Sequence, residues 1–404
     1  MKKSRHLDTV CLHGGAQYGD ERKALSPPIH MSTSFTFDSL EDAELVMDFK
    51  SDDFVYTRGN NPTLRLFETR IAEMEGGTAG AAFSSGMAAI SSVLLSLTKQ
   101  GDHIVAHRTL YGSTHTVLTE LLPRYGITAH LVNCCTIEEL TALLDQLKGK
   151  GITPKALFFE TPANPSLEVI PIAVTAQVSR QYGMKLIVDN TFSSPALQQP
   201  LLLGADIVVH SATKYLCGHG DALGGAAVSK DSEYIQRLKF GFMCELGGVM
   251  SPFNAWLILR GMKTLTLRME RHCSSAHIIA RRLSDHPKVS RVHYPGLPED
   301  AHHSTAAEQM TGFGGMISFE LAGGHAAAAS CINALELFKR AVSLGDCESL
   351  VQFPAGMTHR GYDEKDLELC GLSKAMLRVS IGLEHPEDLW DDLEYALQKV
   401  STET

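Results

Sequence analysis

The feature that most constrains this chain is a regular alternation between short apolar segments and longer amphipathic ones. The predicted strands are 79–84, 103–106, 127–132, 156–160, 186–189 and 207–210, and the predicted helices are 64–75, 86–97, 137–147 and 172–182. Strands that alternate with helices pair in parallel, because each helix carries the chain back to the same edge of the sheet. We therefore expect an α/β fold with a mainly parallel sheet that is covered on both faces.

The two ends of the chain depart from this alternation. Residues 1–60 lack strong periodicity but contain scattered apolar side chains, which is typical of an arm that packs on another surface. Beyond Pro252 we predict a long helix at 253–282, strands at 316–321 and 376–381, and helices at 326–335 and 386–400. The predicted organisation is an arm at 1–60, a large domain at 61–255 and a smaller C-terminal α/β domain at 256–404.

Composition excludes several classes of protein. The 404 residues carry a net charge of −10 without a run of basic residues, so we expect no nucleic-acid partner. No apolar stretch approaches the roughly 18 residues of a membrane span, and the first residues do not read as a signal peptide. The nine cysteines form no Cys-x-x-Cys pair and the 18 histidines are scattered. We expect reduced thiols, no metal site and a cytoplasmic location.

Polar side chains follow two of the predicted strands, at the edge where ligands bind in such sheets. Ser211, Thr213 and Lys214 follow the strand at 207–210, and Asp189 ends the strand at 186–189. A lysine can form a Schiff base with an aldehyde, hydroxyl groups can bind a phosphate, and an aspartate can pair with a pyridinium nitrogen. A pyridoxal 5′-phosphate (PLP) site requires these parts, and they indicate covalent amino-acid chemistry.

Other segments add hydrogen-bond donors and a flat side chain. Ser84-Ser85-Gly86-Met87 ends a strand and opens a helix, whose free backbone N–H groups can bind a phosphate. Asn164 can reach the hydroxyl of a bound ring, and Tyr111 can stack on it. Taken singly, these features have ordinary alternatives: a solvated lysine, a helix cap at Asp189, a plain strand-to-helix turn or a core tyrosine.

Taken together, the motifs resemble those of the Cys/Met-metabolism PLP-dependent enzymes. In chain order they are Tyr56-Thr57-Arg58, Asn61-Pro62-Thr63, Ser85-Gly86-Met87, Leu110-Tyr111-Gly112, Glu160-Thr161-Pro162-Ala163-Asn164-Pro165, Val188-Asp189-Asn190-Thr191, His210-Ser211-Ala212-Thr213-Lys214-Tyr215 and Ser343-Leu344-Gly345. The resemblance implies an aminotransferase-like large domain of fold type I with a mainly parallel seven-stranded sheet. It also implies a homo-oligomer, a tetramer built as a dimer of catalytic dimers.

The resemblance further implies which residues bind the cofactor. Lys214 would carry PLP and move protons, Asp189 would pair with the pyridine nitrogen, and Tyr111 would stack on the ring and act as an acid or base near the leaving group. The residues implied as phosphate ligands are Gly86, Met87, Ser211 and Thr213, together with Tyr56 and Arg58 acting on the neighbouring subunit.

It likewise implies how a small amino-acid substrate is bound. Arg378 would pair with the α-carboxylate, and Ser343 and Asn164 would assist at the carboxylate and the ring edge. Ser113 and Val342 fall at positions where the substrate's γ-group would be recognised.

Within this family the chain is most similar to the methionine γ-lyases, through residues 206–210, 250–257 and 269–273. This similarity implies α,γ-elimination of methionine, or of a related γ-substituted amino acid, to 2-oxobutanoate, ammonia and the leaving group, which is methanethiol for methionine. The alternatives are a cystathionine or homocysteine γ-lyase, a γ-lyase for a non-sulfur substrate such as canavanine, and a γ-replacement transferase such as a cystathionine γ-synthase or O-acylhomoserine sulfhydrylase. A non-enzymatic α/β binding protein is a fourth possibility.

Departures from the methionine γ-lyase pattern fall on the residues that would select the γ-group. Ser113 replaces a cysteine, and Met243 and Cys244 replace a Lys-Asp pair. Glu245 adds a carboxylate, which favours a cationic γ-substituent such as that of canavanine. Val342 stands where cystathionine enzymes commonly carry a glutamate, and it favours a small, uncharged group.

Overall fold

The computed structural model describes residues 5–15, 24–360, 362, 367 and 370–400. Its larger sheet has seven strands, β1 (Ala79–Phe83), β2 (His103–His107), β3 (Thr128–Val132), β4 (Ala156–Glu160), β5 (Lys185–Asp189), β6 (Ile207–Ser211) and β7 (Gly225–Ser229). The strand order is β1-β7-β6-β5-β4-β2-β3, and β7 runs antiparallel to both of its neighbours while the other pairs are parallel. The expected mainly parallel seven-stranded sheet is confirmed.

Both faces of this sheet are buried. Along β4, Ala156 and Phe158 pack into the core on one face, and Leu157 and Phe159 pack into the core on the other. Side chains alternate across a strand, so a strand covered on both sides reads as one continuous apolar run. Parallel register places the strand ends side by side, which brings Glu160 of β4 next to Asp189 at the end of β5.

Eleven helices among the described residues precede or cover the larger sheet. They are α1 (Leu7–His13), α2 (Leu40–Met47), α3 (Pro62–Met74), α4 (Gly86–Leu97), α5 (Gly112–Thr116), α6 (Ile137–Gly149), α7 (Ile172–Gln181), α8 (Ser194–Leu197), α9 (Ser232–Leu238), α10 (Cys244–Leu246) and α11 (Pro252–Met262). Side chains cap the two that open the domain: Asn61 accepts the N–H of Thr63, and Ser85 accepts that of Ala88. None of the described helices is both long and apolar enough to cross a membrane.

The smaller sheet lies in the C-terminal part of the chain. Its strands are β8 (Val289–His293), β9 (Met316–Leu321), β10 (Lys339–Arg340), β11 (Leu350–Gln352) and β12 (Met376–Ser380), in the order β10-β11-β12-β9-β8. The accompanying helices are α12 (Leu265–Ser284), α13 (His303–Gln309), α14 (Gly324–Ala334) and α15 (Pro386–Gln398). This sheet has its own apolar core, which agrees with a second α/β unit, although the domain limits themselves stay a prediction.

The single helix predicted at 253–282 is wrong. Helix α11 ends at Met262 and α12 begins at Leu265. The guanidinium of Arg268 donates to the carbonyl of Gly261 at 2.9 Å and to the hydroxyl of Thr264 at 3.2 Å. Because the side chain satisfies a carbonyl at the end of α11, the chain can break there without leaving that group unpaired.

The N-terminal arm is more ordered than its sequence indicates. The expectation of irregular structure is wrong at α1, which packs against α3, and at α2. Residues 1–4 and 16–23 lie outside the described part of the chain. The contact of this arm with a neighbouring subunit stays a prediction.

Candidate active site

A cavity of about 190 Å³ lies at the carboxyl ends of β4, β5 and β6 and is lined on another side by residues of the C-terminal part of the chain, among them Arg378 of β12. It brings together most of the residues that the sequence predicts for a cofactor and substrate site. Those that line it are Gly86, Met87, Tyr111, Asn164, Asp189, Ser211, Thr213, Lys214, Val342, Ser343 and Arg378.

Lys214 follows the end of β6 and reaches into this cavity. Its Nζ donates a hydrogen bond to Ser343 Oγ at 3.0 Å. Burial and, to a smaller extent, the nearby charge of Arg378 lower the pKa of Lys214 to about 8, although the charge of Asp346 opposes part of this shift. A larger fraction of this amine is therefore neutral and nucleophilic at neutral pH than for a solvated lysine.

Two carboxyl groups stand side by side on the floor of the cavity. Asp189 Oδ1 accepts the hydroxyl and, at 3.0 Å, the backbone N–H of Thr191, and Glu160 Oε1 accepts the N–H of Tyr111 at 2.7 Å. Burial raises the pKa of both groups, and the charge of Asp189 raises the pKa of Glu160 further. Two such neighbours cannot both ionise. We assign the negative charge to Asp189, because Thr191 and His210 favour its ionised form, and the proton to Glu160.

The opposite end of the cavity can receive a phosphate. Helix α4 begins at Gly86, so its free backbone N–H groups and the positive end of its dipole face the site. A Cβ at Gly86 would lie 2.8 Å from the Cβ of Ser211, so this close approach requires a glycine. Thr213 Oγ1 accepts the N–H of Gly224 at 3.1 Å, which holds its hydroxyl at the cavity wall.

Arg378 lies on β12, and its side chain is fully buried at the rim of the cavity. It donates to Asn164 Oδ1 at 2.6 Å and to the carbonyl of Ser343 at 3.1 Å, and its Nε has no hydrogen-bond partner among the described residues. Burial lowers its pKa to about 10, which still leaves the guanidinium charged at neutral pH. A buried cation with an unpaired donor is suited to a carboxylate ligand.

These groups fit a phosphate-bearing aldehyde on a pyridine ring. Lys214 supplies an amine of lowered pKa, and Asp189 supplies a buried carboxylate for a ring nitrogen. The N-terminus of α4 supplies a phosphate cradle that any side chain at Gly86 would fill. Tyr111, which is 38% exposed, offers its aromatic ring at the open side.

Tyr56 and Arg58 are not brought to this cavity within the chain. They line a separate groove with Cys244 and Glu245, in which Arg58 donates to the carbonyl of Cys244 at 3.3 Å. Ser113 is exposed on α5 and does not line the cavity. Cys244 and Glu245 therefore do not line the Lys214 cavity of the same chain, and Met243 is buried in the apolar core.

Several residues that line the cavity were assigned no role from the sequence. Thr191 fixes Asp189 and also accepts the N–H of Ser211 at 2.8 Å through its hydroxyl. Its position two residues after the strand-ending aspartate was a usable signal, since such side chains cap the preceding carboxylate. Phe192, whose ring lies 5.8 Å from the Arg378 guanidinium, and Thr358 carry no such local signal.

A second polar cluster, formed by His107, Cys135 and Glu168, has candidate ligand atoms within 4.8 Å of one another. His107 Nδ1 accepts the backbone N–H of Cys134 at 3.1 Å, so its proton resides on Nε2, which faces Glu168 at 3.5 Å. A metal-binding imidazole needs a free lone pair at the ligating nitrogen and donates from the other. We therefore interpret this cluster as an electrostatic contact between His107 and Glu168.

Comparison with known proteins identifies the family and the relatives of this chain. The sequence model of the family described as Cys/Met metabolism PLP-dependent enzyme matches residues 8–398. An L-methionine gamma-lyase of Pseudomonas deceptionensis is 42% identical over 99% of each chain, and a cystathionine gamma-lyase of Bacillus subtilis is 40% identical over 99% of this chain and 100% of its own. The crystal structure of an O-acetylhomoserine (thiol)-lyase from Campylobacter jejuni, which carries a pyridoxyl-lysine monophosphate, matches with a TM-score of 0.93 at 31% identity, over 98% of this chain and 100% of that one.

Proposed function

The chain belongs to the Cys/Met-metabolism PLP-dependent enzymes, and from this premise we propose that it catalyses α,γ-elimination of methionine or a closely related γ-substituted amino acid. With one water consumed, the products would be 2-oxobutanoate, ammonia and the protonated leaving group. When bound, the cofactor supplies a pyridine ring that accepts electrons from the substrate. The chain's own residues supply binding, orientation and proton transfer.

The observation that carries this proposal is that Arg378 and Lys214 line the same cavity. Arg378 presents an unpaired donor that suits an α-carboxylate, and Ser343 links the two residues through a 3.0 Å bond to Lys214 and a 3.1 Å bond to Arg378. A substrate held by its carboxylate at Arg378 would place its α- and β-carbons near the Lys214 amine, which can take protons from both. Tyr111, at the open side, can protonate a departing γ-group.

The lining of the cavity supports a small, uncharged γ-group. Val342 is 60% exposed and lines the cavity, together with the apolar side chains of Ile90 and Leu223. A methylthio group can bury its surface there, whereas a second amino-acid head group would lose hydration without a charged partner on these side chains.

Other leaving groups and acceptors stay alternatives within the same chemistry. Cystathionine and homocysteine differ from methionine only in the group beyond the sulfur. The relatives include a protein named methionine gamma-lyase and one named cystathionine gamma-lyase. Canavanine would need Glu245, which lies in the groove with Arg58 and would reach a Lys214 cavity only in the proposed dimer. In γ-replacement, a thiol would add to the substrate in place of the departed group, and no keto acid would be released. The similarity to a thiol-lyase structure supports γ-replacement as an alternative.

We also propose a cytoplasmic homo-oligomer, with a tetramer formed from two catalytic dimers. The arm supports this assembly, because Leu25, Met31, Leu40 and Met47 expose large apolar side chains on one continuous part of the chain. Such surface is usually covered by a partner.

A substrate panel tests the proposed function. Methionine, homocysteine, cystathionine and canavanine are each supplied to the PLP-loaded protein, and 2-oxobutanoate, ammonia and the released group are measured. We expect methionine to give the highest kcat/KM, equimolar methanethiol and keto acid, and no product with Lys214→Ala. Val342→Glu is the matched specificity variant and should shift preference towards cystathionine. Absence of keto acid from every substrate, with thiol incorporation into an O-acylhomoserine instead, would establish the transferase alternative.

A further inference from the structure

A segment of the smaller sheet's domain reaches across to the residues that present Tyr111. His359 is fully buried, and its Nε2 lies 3.1 Å from the carbonyl of Leu110 and 3.2 Å from the carbonyl of Asn164. The hydroxyl of Tyr362 donates to the same Leu110 carbonyl at 3.0 Å. His359 thus contacts the backbone of Leu110, which precedes Tyr111. It also contacts the backbone of Asn164, whose side chain accepts a hydrogen bond from Arg378.

A short hydrogen-bond chain fixes which ring nitrogen of His359 carries the proton. Gln352 Nε2 donates to Thr358 Oγ1 at 3.2 Å, and the Thr358 hydroxyl, 3.0 Å from His359 Nδ1, is then free to donate to that nitrogen. Nε2 therefore bears the hydrogen and donates to the two carbonyls. Burial, together with the charge of Arg378, lowers the pKa of His359 to about 4, so the ring stays neutral and keeps this pattern.

The contact between the two segments is tight. A Cβ at Gly112 would lie 2.1 Å from the carbonyl oxygen of Thr358, so the residue after Tyr111 lies directly against the segment that carries His359. On its other side, the Tyr111 N–H is held by Glu160 at 2.7 Å. The backbone of residues 110–112 is thus held from both domains at once.

We propose that His359 and Tyr362 are positioning residues that set the place of Tyr111 over the site and couple it to Asn164 and Arg378. Neither side chain lines the cavity, so they act through the backbone of Leu110 and Asn164. A misplacement of about 1 Å in a reacting group can cost on the order of 100-fold in rate. Loss of these hydrogen bonds should therefore appear in catalysis more strongly than in cofactor binding.

The kinetic test uses two variants and a conservative replacement. His359→Leu should lower kcat by roughly 100-fold and raise KM, because it frees both Tyr111 and the Asn164–Arg378 pair. Tyr362→Phe should lower kcat roughly fivefold with KM unchanged, as expected for one hydrogen bond to the Leu110 side. His359→Gln retains an N–H near the Nε2 position and should recover most of the kcat.

The matched control is Tyr294→Phe. Tyr294 is another buried tyrosine in the C-terminal part of the chain, and its hydroxyl donates to the carbonyl of Gly314 at 3.2 Å; neither Tyr294 nor Gly314 lines the cavity. Its loss should cost similar stability and leave kcat unchanged. Each substitution is then repeated in Tyr111→Phe. Because Tyr362 acts only on the Leu110 side, the effect of Tyr362→Phe on kcat should largely vanish in that background, and His359→Leu should keep only the loss that passes through Asn164 and Arg378. A merely structural role would instead give fully additive losses for both variants.

The kinetic part rests on the proposed elimination reaction, so a second readout is independent of it. Amide hydrogen exchange of the cofactor-free protein reports directly on residues 108–116. Tyr362→Phe and His359→Leu should speed exchange there, and Tyr294→Phe should not. Unchanged exchange in both variants, or additive kinetics with Tyr111→Phe, would overturn the inference; faster exchange without activity on any substrate would refute the proposed function alone.

Discussion

At the scale of single residues, the site brings together groups whose environments shift their pKa values in opposite directions from the ordinary ones. Lys214 loses proton affinity through burial, and Glu160 gains it through burial and the neighbouring charge of Asp189. The register of β4 with β5 causes this second effect, because it sets the two carboxyl groups side by side. Asp189 is left as the ionised member, which is the form that stabilises a positive ring nitrogen.

The assignment of the proton to Glu160 predicts that this residue acts as a neutral acceptor. Glu160→Gln keeps an oxygen for the Tyr111 N–H and should leave kcat/KM within roughly threefold of the unsubstituted enzyme. Glu160→Leu removes that oxygen from a buried donor, which costs about 1–3 kcal/mol and should lower kcat/KM by roughly 10- to 100-fold. Equal damage from both substitutions would indicate that the charge of Glu160 matters.

At the scale of elements, the phosphate cradle depends on how closely β7 approaches the start of α4. Gly225 opens β7 and pairs with Ser211 on one side and Phe83 on the other. A Cβ at this position would lie 2.1 Å from the carbonyl oxygen of Ser85. The antiparallel strand therefore has to begin with a residue that lacks a side chain, so that the helix N-terminus can stay at the cavity.

Gly225→Ala should weaken cofactor binding by displacing Ser85 and Gly86. Overpacking of this kind costs about 1–3 kcal/mol, which corresponds to a PLP dissociation constant raised roughly 10- to 100-fold. Equilibrium dialysis of PLP against the cofactor-free protein measures the effect. Gly149→Ala is the control, because a Cβ there meets no atom within 4 Å. Similar affinities for the two variants would contradict this account of the cradle.

At the scale of the whole molecule, the predicted site residues fall into two groups that line separate pockets. Lys214, Asp189 and Arg378 share one cavity, whereas Tyr56 and Arg58 line a distinct groove on the same chain. If all five serve one cofactor, the groove of one copy has to face the cavity of another. The exposed apolar side chains of the arm lie on the part of the chain that would form this contact.

This arrangement predicts complementation between two inactive variants. Arg58→Ala and Lys214→Ala should each lose activity, and their co-expression should restore about a quarter of the sites, because half of the dimers are mixed and each holds one intact site. Activity per bound PLP in the separated mixed species is the measurement. The control pair, Lys214→Ala with Asp189→Asn, alters the same cavity in both chains and should recover nothing. Failure of the first pair to recover would place Arg58 outside the shared site.

The sequence by itself determined the fold class, the PLP dependence and most of the residues that line the cavity. These follow from local signals: apolar runs of strand length, and the motif residues that come directly after them, such as Asp189 after β5 and Lys214 after β6. Parallel strands end at one edge, so side chains that follow different strands converge there without further information. The resemblance to a known family rested on the same short, ordered motifs.

Only the tertiary structure decided which distant residues meet. The contact of His359 with Leu110 joins positions 249 residues apart, and no local periodicity encodes it. The break between α11 and α12 depends on the Arg268 side chain reaching back to Gly261, and β7 was missed because its small residues acquire a role only between β1 and β6. Close packing between elements selects such partners by shape and hydrogen bonding across space. Local sequence patterns therefore cannot predict which distant residues will be in contact.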